Sequence, residues 1–201
     1  MTPRGTFVAF EGIDGCGKST QARRVADARG AICTFEPGDT PLGASLRAVL
    51  LDAAMGIDAT AELLVMAADR AQHVAQIIEP ALAAGRDVLC DRFNGSTLAY
   101  QGYGRGVDLE SIRRVLAVAT GGLAPDLTIL LDCPVAVARA RRVHRATASD
   151  RFESDDAFSE RVRAGFVELA RTSERWGVVD AEAPVAAVTR AVDELIVRAF
   201  S

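Results

Sequence analysis

The hydrophobic pattern of the chain alternates between short apolar runs and longer segments in which apolar residues recur every three or four positions. The runs at 7–10, 88–90 and 128–131 are continuously apolar, as is typical of strands buried on both faces of a parallel sheet. We therefore predict five strands, at 6–11, 31–35, 86–90, 127–132 and 177–180. The helical pattern predicts helices at 19–29, 42–52, 59–84, 109–120, 154–171 and 184–200, with a kink or break near Pro80. This alternation predicts an α/β fold, a doubly wound five-stranded parallel sheet flanked by helices.

Composition narrows the class of protein further. The chain has 201 residues, of which 49% are hydrophobic and 25% charged, and its net charge is −4. These values are typical of a globular protein, and we predict a single domain over residues 1–201. The acidic balance argues against a general nucleic-acid-binding protein, which would carry a basic excess. No run approaches the ~18 apolar residues of a membrane span and the N-terminus lacks a signal-like core, so we expect a cytoplasmic protein.

A glycine-rich segment with the sequence GIDGCGKST occupies residues 12–20, between a predicted strand and a predicted helix. It matches the phosphate-binding pattern G-x-x-x-x-G-K-[ST] in the required context, which argues against a mere turn with an exposed lysine. Glycines allow successive backbone N–H groups to surround phosphate oxygens, and the following helix contributes its N-terminal partial positive charge. The lysine reaches the β- and γ-phosphates, and the next hydroxyl binds Mg²⁺. We therefore predict ATP and Mg²⁺ as ligands, with Lys18 catalytic, Ser19 at the metal, and the nucleotide held by Gly12, Gly15, Cys16, Gly17, Lys18, Ser19 and Thr20.

The four cysteines, Cys16, Cys33, Cys90 and Cys133, are far apart and include no CxxC pair, so neither disulfides nor a zinc site is predicted. Cys16 lies within the glycine-rich segment, at a helix N-terminus and two residues from Lys18. Because backbone N–H groups and a neighbouring cation favour the thiolate, we predict a lowered pKa and the highest reactivity for Cys16. A small neutral side chain without a redox role is the alternative.

Six ordered matches carry a resemblance to one enzyme family. They are FEGIDG with GKSTQ at 10–21, EPGDTPLG at 36–43, AADRAQH at 67–73, DRFNGSTLAYQG at 91–102, DRFE at 150–153 and VDA at 179–181. Together these segments resemble the thymidylate kinases of the P-loop nucleoside-monophosphate kinase family, over nearly the whole chain. The resemblance implies transfer of the γ-phosphate of ATP to dTMP, giving dTDP and ADP. It also implies Mg²⁺, a P-loop NTPase-type fold with a short lid, and a homodimer.

The resemblance further implies an acceptor site. In it, the catalytic Arg92 clamps the acceptor phosphate and the transferring group, Arg70 reaches the thymine edge, and Tyr100 lies under the sugar. Asp91 would either organise Mg²⁺ or orient Arg92, and Asp14 would face the sugar 3′-OH or a metal-bound water. The alternatives are a structural ion pair for Arg92, a solvated helix arginine for Arg70 and a buried core tyrosine for Tyr100. The implied acceptor residues are Asp14, Phe35, Glu36, Pro37, Met66, Arg70, Arg92, Ser96, Thr97, Tyr100 and Gln101.

A charge-dense stretch at 139–156 includes the predicted lid, at about 139–153. The phosphate-binding segment contains no arginine, and in this respect the chain resembles the bacterial form of the family. In that form a lid arginine supplies the cation to the transferring phosphoryl group, and Arg142 and Arg151 are the catalytic candidates. Closure of a lid also excludes water and suppresses ATP hydrolysis.

Two positions depart from the family pattern. Phe35 replaces an arginine that precedes Glu-Pro-Gly, and Met66 replaces a phenylalanine that stacks on the base. Arg47 is a candidate replacement for the missing arginine, and Phe35 is a candidate to cover part of the base or sugar. Because methionine gives less stacking, we predict looser base selectivity, with dUMP as the second acceptor. A kinase for another deoxynucleoside monophosphate and a non-catalytic nucleotide-binding module remain as alternative functions.

Overall fold

The computed structural model describes residues 3–52, 54–144 and 155–199. Within this part of the chain, five parallel strands form one sheet in the order β2-β3-β1-β4-β5. The strands are β1 Phe7–Glu11, β2 Ile32–Phe35, β3 Val88–Asp91, β4 Leu127–Asp132 and β5 Trp176–Asp180. The helices are α1 Lys18–Arg29, α2 Pro41–Leu51, α3 Ala59–His73, α4 Glu79–Ala83, α5 Asn94–Thr97, α6 Leu109–Thr120, α7 Val135–His144, α8 Asp156–Arg171 and α9 Val185–Ala199. The predicted α/β fold with a five-stranded parallel sheet is confirmed.

The central strand β1 explains why the apolar runs lack alternation. It lies between β3 and β4, and all of its residues are buried. Phe7 and Ala9 belong to one hydrophobic cluster, whereas Val8 and Phe10 belong to another, on the opposite face of the sheet. Because the strands are all parallel, their carboxyl ends meet at one edge. At that edge β1 leads into the glycine-rich segment and β3 ends at Asp91, so the fold brings the two motifs together.

The long predicted helix at 59–84 changes its geometry close to Pro80. Between α3 and α4 the chain forms a π-helical turn, Val74–Ile78. Proline has no backbone N–H, and its ring crowds the carbonyl group four residues earlier, here that of Gln76. The wider π turn accommodates this crowding, and the predicted irregularity near Pro80 is confirmed.

A further helix lies where the sequence pattern predicts none. It is α5, which continues as a π-helical segment, Leu98–Gly104. The buried carboxylate of Glu11 holds its first turn, because Oε1 accepts from the backbone N–H groups of Phe93 at 3.0 Å and Ser96 at 2.9 Å. Gly95 leaves room for this approach, since a Cβ there would lie 2.8 Å from the same oxygen. The helix therefore depends on a side chain 82 residues earlier than its first partner, and it forms one wall of the site.

Candidate active site

The glycine-rich segment forms a loop between β1 and α1 that requires glycine at several positions. Gly12, Gly15 and Gly17 have positive φ angles of 139°, 93° and 103°, which residues with a side chain rarely adopt. A Cβ on Gly12 would also lie 2.5 Å from the carbonyl oxygen of Leu131. The loop therefore packs closely against β4, in the conformation that the sequence motif predicts.

Lys18, the first residue of α1, is folded back over this loop. Its side chain is only 5% exposed, and its ammonium group donates to the carbonyl oxygen of Ile13 at 2.9 Å. The same group lies 3.9 Å from the carboxylate of Asp14. This geometry differs from that of an exposed lysine on a simple turn. Thr20, two residues further along α1, is exposed next to the loop.

Ser19 and Asp91 form a pair of oxygen ligands at the carboxyl edge of the sheet. The Ser19 hydroxyl donates to Oδ2 of Asp91. The other carboxylate oxygen, Oδ1, is buried and has no hydrogen-bond partner among the described residues. Hydroxyl and carboxylate oxygens are the ligands that Mg²⁺ prefers, and an unpartnered buried carboxylate oxygen is a group that a cation would satisfy. The two side chains therefore fit the predicted Mg²⁺.

The prediction of a low pKa for Cys16 is wrong. The thiol is buried, and this burial raises its pKa although the positive charges of Lys18 and Arg92 act in the opposite direction. Its sulfur lies 3.7 Å from the ammonium nitrogen of Lys18, so the neighbour that we predicted is present. Desolvation outweighs that neighbour, and the exposed cysteine of the chain is Cys33. Cys16 fills space behind the loop as a small neutral side chain.

Arg92 stands immediately after β3 and organises the centre of the site. Its guanidinium donates to Oδ1 of Asp14 at 2.6 Å and to the hydroxyl of Ser96 at 2.8 Å, and it stacks 5.1 Å from the centre of the Tyr100 ring. Arg92 has a φ angle of 76°, the only positive value outside glycine in the described ranges, and backbone strain of this kind is concentrated at functional sites. Burial opposes ionisation of Asp14, but Arg92 and Lys18 outweigh it and hold its pKa well below the ordinary value. Asp14 is therefore an anion between two cations.

A cavity of about 90 Å³ opens beside Arg92, between α3 and α5. It brings together every implied acceptor residue except Phe35, and it adds Arg47 and Leu51. Its walls are Asp14, Glu36, Pro37, Arg47, Leu51, Met66, Arg70, Arg92, Ser96, Thr97, Tyr100 and Gln101. We call this cavity the acceptor pocket. Leu51 has no chemical signature in the sequence, because an aliphatic residue on a helix is normally read as core.

Arg70 lines the acceptor pocket and is buried, so it is not a solvated helix arginine. It is 2% exposed, and its Nε donates to Glu36 at 2.7 Å. Its two terminal nitrogens donate to the hydroxyl of Thr97 at 2.8 Å and to the backbone oxygen of Phe93 at 3.0 Å. A guanidinium has five N–H groups, so two remain after these three bonds. On the opposite wall Gln101 donates to a buried glutamate, Glu62, at 2.7 Å.

Phe35 and Arg47 occupy different parts of the site. Phe35 is 41% exposed and lines a neighbouring larger cavity, whereas Met66 lines the acceptor pocket. Arg47 borders both cavities and donates to the carbonyl oxygen of Pro37 at 2.7 Å. The role of Arg47 as a replacement for the missing arginine stays a prediction, whereas Phe35 does not line the acceptor pocket that it was expected to cover.

The larger cavity, of about 730 Å³, connects the acceptor pocket with the glycine-rich loop. Lys18, Asp91, Arg92 and Arg142 all border it. Arg142, on α7, donates to the backbone oxygen of Asp14 at 2.7 Å, which places the first part of the predicted lid over the loop. Most of the predicted lid, including the second candidate Arg151, lies outside the described residues. We call this space the central cavity.

A third cavity, of about 160 Å³, lies on the other side of the glycine-rich loop and is lined partly by residues that no sequence motif indicates. Arg141 borders it and donates to the carbonyl oxygen of Ala181 at 2.8 Å. The remaining walls are Gly15, Cys16, Gly17, Thr20, Gln21, Ala183, Val185 and Val188. Small apolar side chains offer no motif, and only the VDA segment at the end of β5 could have indicated this place.

The fold and the site together define a class of protein. A glycine-rich loop with a buried lysine, an oxygen pair suited to Mg²⁺, and an arginine-lined second pocket are the parts of a P-loop kinase that acts on nucleotides. A family model described as thymidylate kinase matches residues 10–192. The chain belongs to the thymidylate kinase family.

Individual relatives agree with this assignment. The chain is 47% identical to a thymidylate kinase from Geobacter sulfurreducens over 205 residues, which cover 96% of each chain. It is 51% identical to a thymidylate kinase from Desulfovibrio desulfuricans over 192 residues, 89% of this chain and 88% of the relative. The crystal structure of thymidylate kinase from Ehrlichia chaffeensis has a TM-score of 0.77 at 34% identity, covering 96% of this chain and 99% of that one.

Proposed function

We infer that the chain is an ATP-dependent phosphotransferase that converts dTMP to dTDP, with ADP as the second product. One observation carries this inference: a phosphate-binding loop and an acceptor pocket open into the same central cavity, within a chain that matches the thymidylate kinase family over residues 10–192. Lys18 borders this cavity from the loop, and Arg92 borders both the cavity and the pocket. The transfer therefore takes place between these two cations.

The residues divide by task along the direction of transfer. The glycine-rich loop and Lys18 hold the phosphates of ATP, and the small apolar cavity beside Arg141 accepts the donor base. The acceptor pocket holds dTMP, with Arg70 at the edge of the base and Tyr100 against the sugar. An oxygen of the dTMP phosphate attacks the γ-phosphorus, and the bond from that phosphorus to the bridging oxygen of ADP breaks. Lys18 and Arg92 neutralise the charge that develops on the transferring group.

We propose that Ser19 and Asp91 hold Mg²⁺ at the loop. When bound, the ion neutralises the β- and γ-phosphate oxygens and fixes their geometry. The buried Oδ1 of Asp91, which has no partner in the described part of the chain, supports this role. Asp91 also accepts from Ser19, so it orients that hydroxyl.

Replacing Asp91 by asparagine tests this assignment of the metal ligands. We expect Asp91→Asn to raise the Mg²⁺ concentration for half-maximal activity roughly tenfold or more, because an amide is a weaker ligand and a weaker acceptor for Ser19. The measurement is a Mg²⁺ titration of the initial rate, with the exposed Asp27→Asn on α1 as the matched control. An unchanged Mg²⁺ requirement in Asp91→Asn would show that another group binds the ion.

The two alternative functions receive less support. Family membership favours dTMP over other deoxynucleoside monophosphates as the acceptor. A non-catalytic module would be expected to have lost its catalytic cations, yet Lys18 and Arg92 are held in the cavity by specific hydrogen bonds. We propose Arg142 as the lid arginine that approaches the transferring phosphoryl group, since it already lies over the loop. Arg151 stays a sequence-based candidate for the same task.

Phosphorylation of a panel of acceptors tests the function and the predicted selectivity together. The purified chain is supplied with ATP, Mg²⁺ and one of dTMP, dUMP, dCMP, dGMP, UMP or CMP, and the products are separated by chromatography. We expect dTMP to be the best acceptor. Turnover of another nucleotide in place of dTMP would identify that nucleotide as the substrate. Absence of turnover with every nucleotide would contradict the assignment as a kinase.

The same assay measures how well the site distinguishes thymine from uracil. We expect dUMP to be the second acceptor, because Met66 stacks less firmly than a phenylalanine and one methyl group discriminates by only ~10–200-fold. Restoring the aromatic ring with Met66→Phe should increase the ratio of kcat/KM for dTMP over dUMP. A wild-type ratio above about 10³ would contradict the predicted loose selectivity.

The family resemblance supports further proposals about the organisation of the protein. We propose that residues 1–201 form one domain with an inserted lid, that two copies form a homodimer, and that the enzyme is cytoplasmic. In the described ranges, every helix is too short or too polar to cross a membrane. Small nucleotides are its proposed substrates, and neither nucleic acid nor membrane is a proposed partner.

A further inference from the structure

We propose that His73 is a positioning residue of the acceptor pocket, which fixes the carboxylate of Glu36 and through it the orientation of Arg70. The inference deepens the proposed function and rests on it, because it gives His73 a task in the binding of dTMP. His73 is the last residue of α3, is 1% exposed, and borders neither the acceptor pocket nor the central cavity. Its contribution must therefore pass through a neighbour.

The hydrogen bonds around His73 call for a proton on each ring nitrogen. Nδ1 lies 2.8 Å from Oε1 of Glu36, and Nε2 lies 2.6 Å from the hydroxyl oxygen of Thr34. Glu36 accepts from Arg70 through its other oxygen, and a carboxylate oxygen offers no hydrogen, so Nδ1 is the donor in its contact with Glu36. The Thr34 hydroxyl donates its hydrogen to Asp39, so its oxygen can only accept from Nε2. An imidazolium satisfies both contacts, whereas either neutral tautomer leaves one contact without a hydrogen.

Contacts around the ring link it to further polar and charged side chains. Glu36 contacts both Arg70 and His73, and the half-buried Asp39 is linked to the ring through the Thr34 hydroxyl. Burial and the charge of Glu36 raise the pKa of the nearby Asp69 to about 6. Burial also keeps the pKa of the nearby Cys90 thiol well above its ordinary value. The titratable and charged groups that surround the ring are thus Glu36, Asp39, Asp69, Arg70 and Cys90.

A metal ion is the other occupant that these side chains could accept. Ligand atoms of Glu36, His73 and Cys90 lie within 4.8 Å of one another. However, Glu36 already accepts from Arg70 at 2.7 Å, and the Cys90 thiol donates to the backbone oxygen of Arg92 at 2.9 Å. A divalent cation here would be repelled by the buried guanidinium of Arg70. The geometry therefore favours a hydrogen-bonded network.

The network acts on the acceptor pocket through Glu36. Glu36 borders the pocket, and it holds Arg70, which in turn donates to Thr97 on the facing helix. Without the donor at Nδ1, Glu36 would be a buried anion with one partner fewer and would be free to rotate. Arg70 and Thr97 would then lose their fixed orientation at the edge of the base. Binding of dTMP should suffer, while the phosphate-binding loop is unaffected.

Asparagine and glutamine at position 73 separate the roles of the two ring nitrogens. The amide of His73→Asn lies near the position of Nδ1 and can still donate to Glu36, whereas that of His73→Gln lies near Nε2 and can donate to Thr34. We expect His73→Gln to raise the KM for dTMP roughly tenfold or more, because a buried carboxylate loses a hydrogen bond. We expect His73→Asn to stay within about threefold of the wild type. The KM for ATP should change little in either variant.

Several outcomes would overturn the inference. A wild-type KM for dTMP in His73→Gln would do so, and so would equal increases in both variants, since a ring that only fills space makes no distinction between the two amides. Gln76→Asn, an exposed position one turn further along the helical path, is the control and should behave as the wild type. If the wild type itself does not phosphorylate dTMP, the proposed function fails, whereas failure of this inference leaves wild-type turnover intact.

Nitrogen-15 NMR of histidine-labelled wild-type protein shows which ring nitrogens of His73 carry a proton, without an activity assay. The sequence contains two histidines, His73 and His144, and the signals lost in His73→Asn identify the first. We expect Nδ1 of His73 to carry a proton, as its contact with Glu36 requires. A ring whose only proton is on Nε2 would overturn the inference.

Discussion

Arg92→Lys is expected to lower kcat for dTMP phosphorylation by about 10³-fold while the fold is retained. The guanidinium of Arg92 donates to Asp14, to Ser96 and to the hydroxyl of Tyr100, and it also lies over the Tyr100 ring. A lysine ammonium is a compact point charge, and it cannot reproduce two divergent hydrogen bonds and a planar stack. The positive charge would be conserved, so the loss of kcat would measure the contribution of the guanidinium's shape rather than that of its charge.

The measurement is the steady-state rate at saturating ATP and dTMP, with the far-UV circular dichroism spectrum as the check on folding. Arg190→Lys, an exposed position on α9, is the matched control and should keep the wild-type rate. A kcat for Arg92→Lys within tenfold of the wild type would contradict the central role of Arg92. In that case Arg92 would serve mainly as a structural partner of Asp14.

The sheet could be predicted because its signal is local. The strands β1, β3 and β4 are buried on both faces of the sheet, so each one can be recognised from a continuous run of apolar residues. The glycine-rich loop is equally local, since its positive φ angles and its close approach to Leu131 exclude other residues at Gly12. The fold and the position of the glycine-rich loop could therefore be predicted directly from the sequence.

The helix α5 could not be predicted because the residue that stabilises it is far away in the sequence. Its segment contains glycine, serine and threonine, which favour helices weakly. The buried carboxylate of Glu11 supplies the missing stabilisation, and that residue comes from a strand 82 residues earlier than its first partner. The acceptor pocket depends on this helix, so its residues could be assigned only through the family resemblance.

Burial decides the other differences between sequence and structure. Cys16 has the charged neighbour that the sequence predicts, but desolvation reverses the direction of its pKa shift. Arg70 could be assigned to the pocket only through the family resemblance, because a helix arginine by itself is normally exposed, and in the structure it is enclosed by Glu36 and Thr97. The cavity beside Arg141 is lined partly by small apolar residues that carry no chemical pattern. In each case the missing information is the three-dimensional surroundings, which a one-dimensional pattern does not contain.

Lys18→Met is expected to lower kcat by about 10³-fold, the upper end of the loss seen when one preorganised donor is removed from a developing charge. Methionine keeps the unbranched shape of lysine, so the buried position stays filled while the cation and the bond to Ile13 are lost. Lys18 is the only lysine of the chain, and no other lysine can substitute for it. Arg142 cannot substitute for it either, because its guanidinium approaches the loop from α7 and binds the backbone of Asp14.

The KM for ATP should rise less than kcat falls, because the loop N–H groups still bind the phosphates while the charge of the transition state loses its partner. Steady-state kinetics of Lys18→Met with varied ATP give both quantities, and Arg190→Met controls for the loss of one positive charge elsewhere. A variant with wild-type kcat and only a higher KM for ATP would limit Lys18 to ground-state binding.

The catalytic charge would then have to come from Arg92 and the lid, and the variants Lys18→Met and Arg92→Lys should affect kcat independently. If Lys18 and Arg92 instead act on the same transferring group, the double variant should lose less than the product of the two single losses.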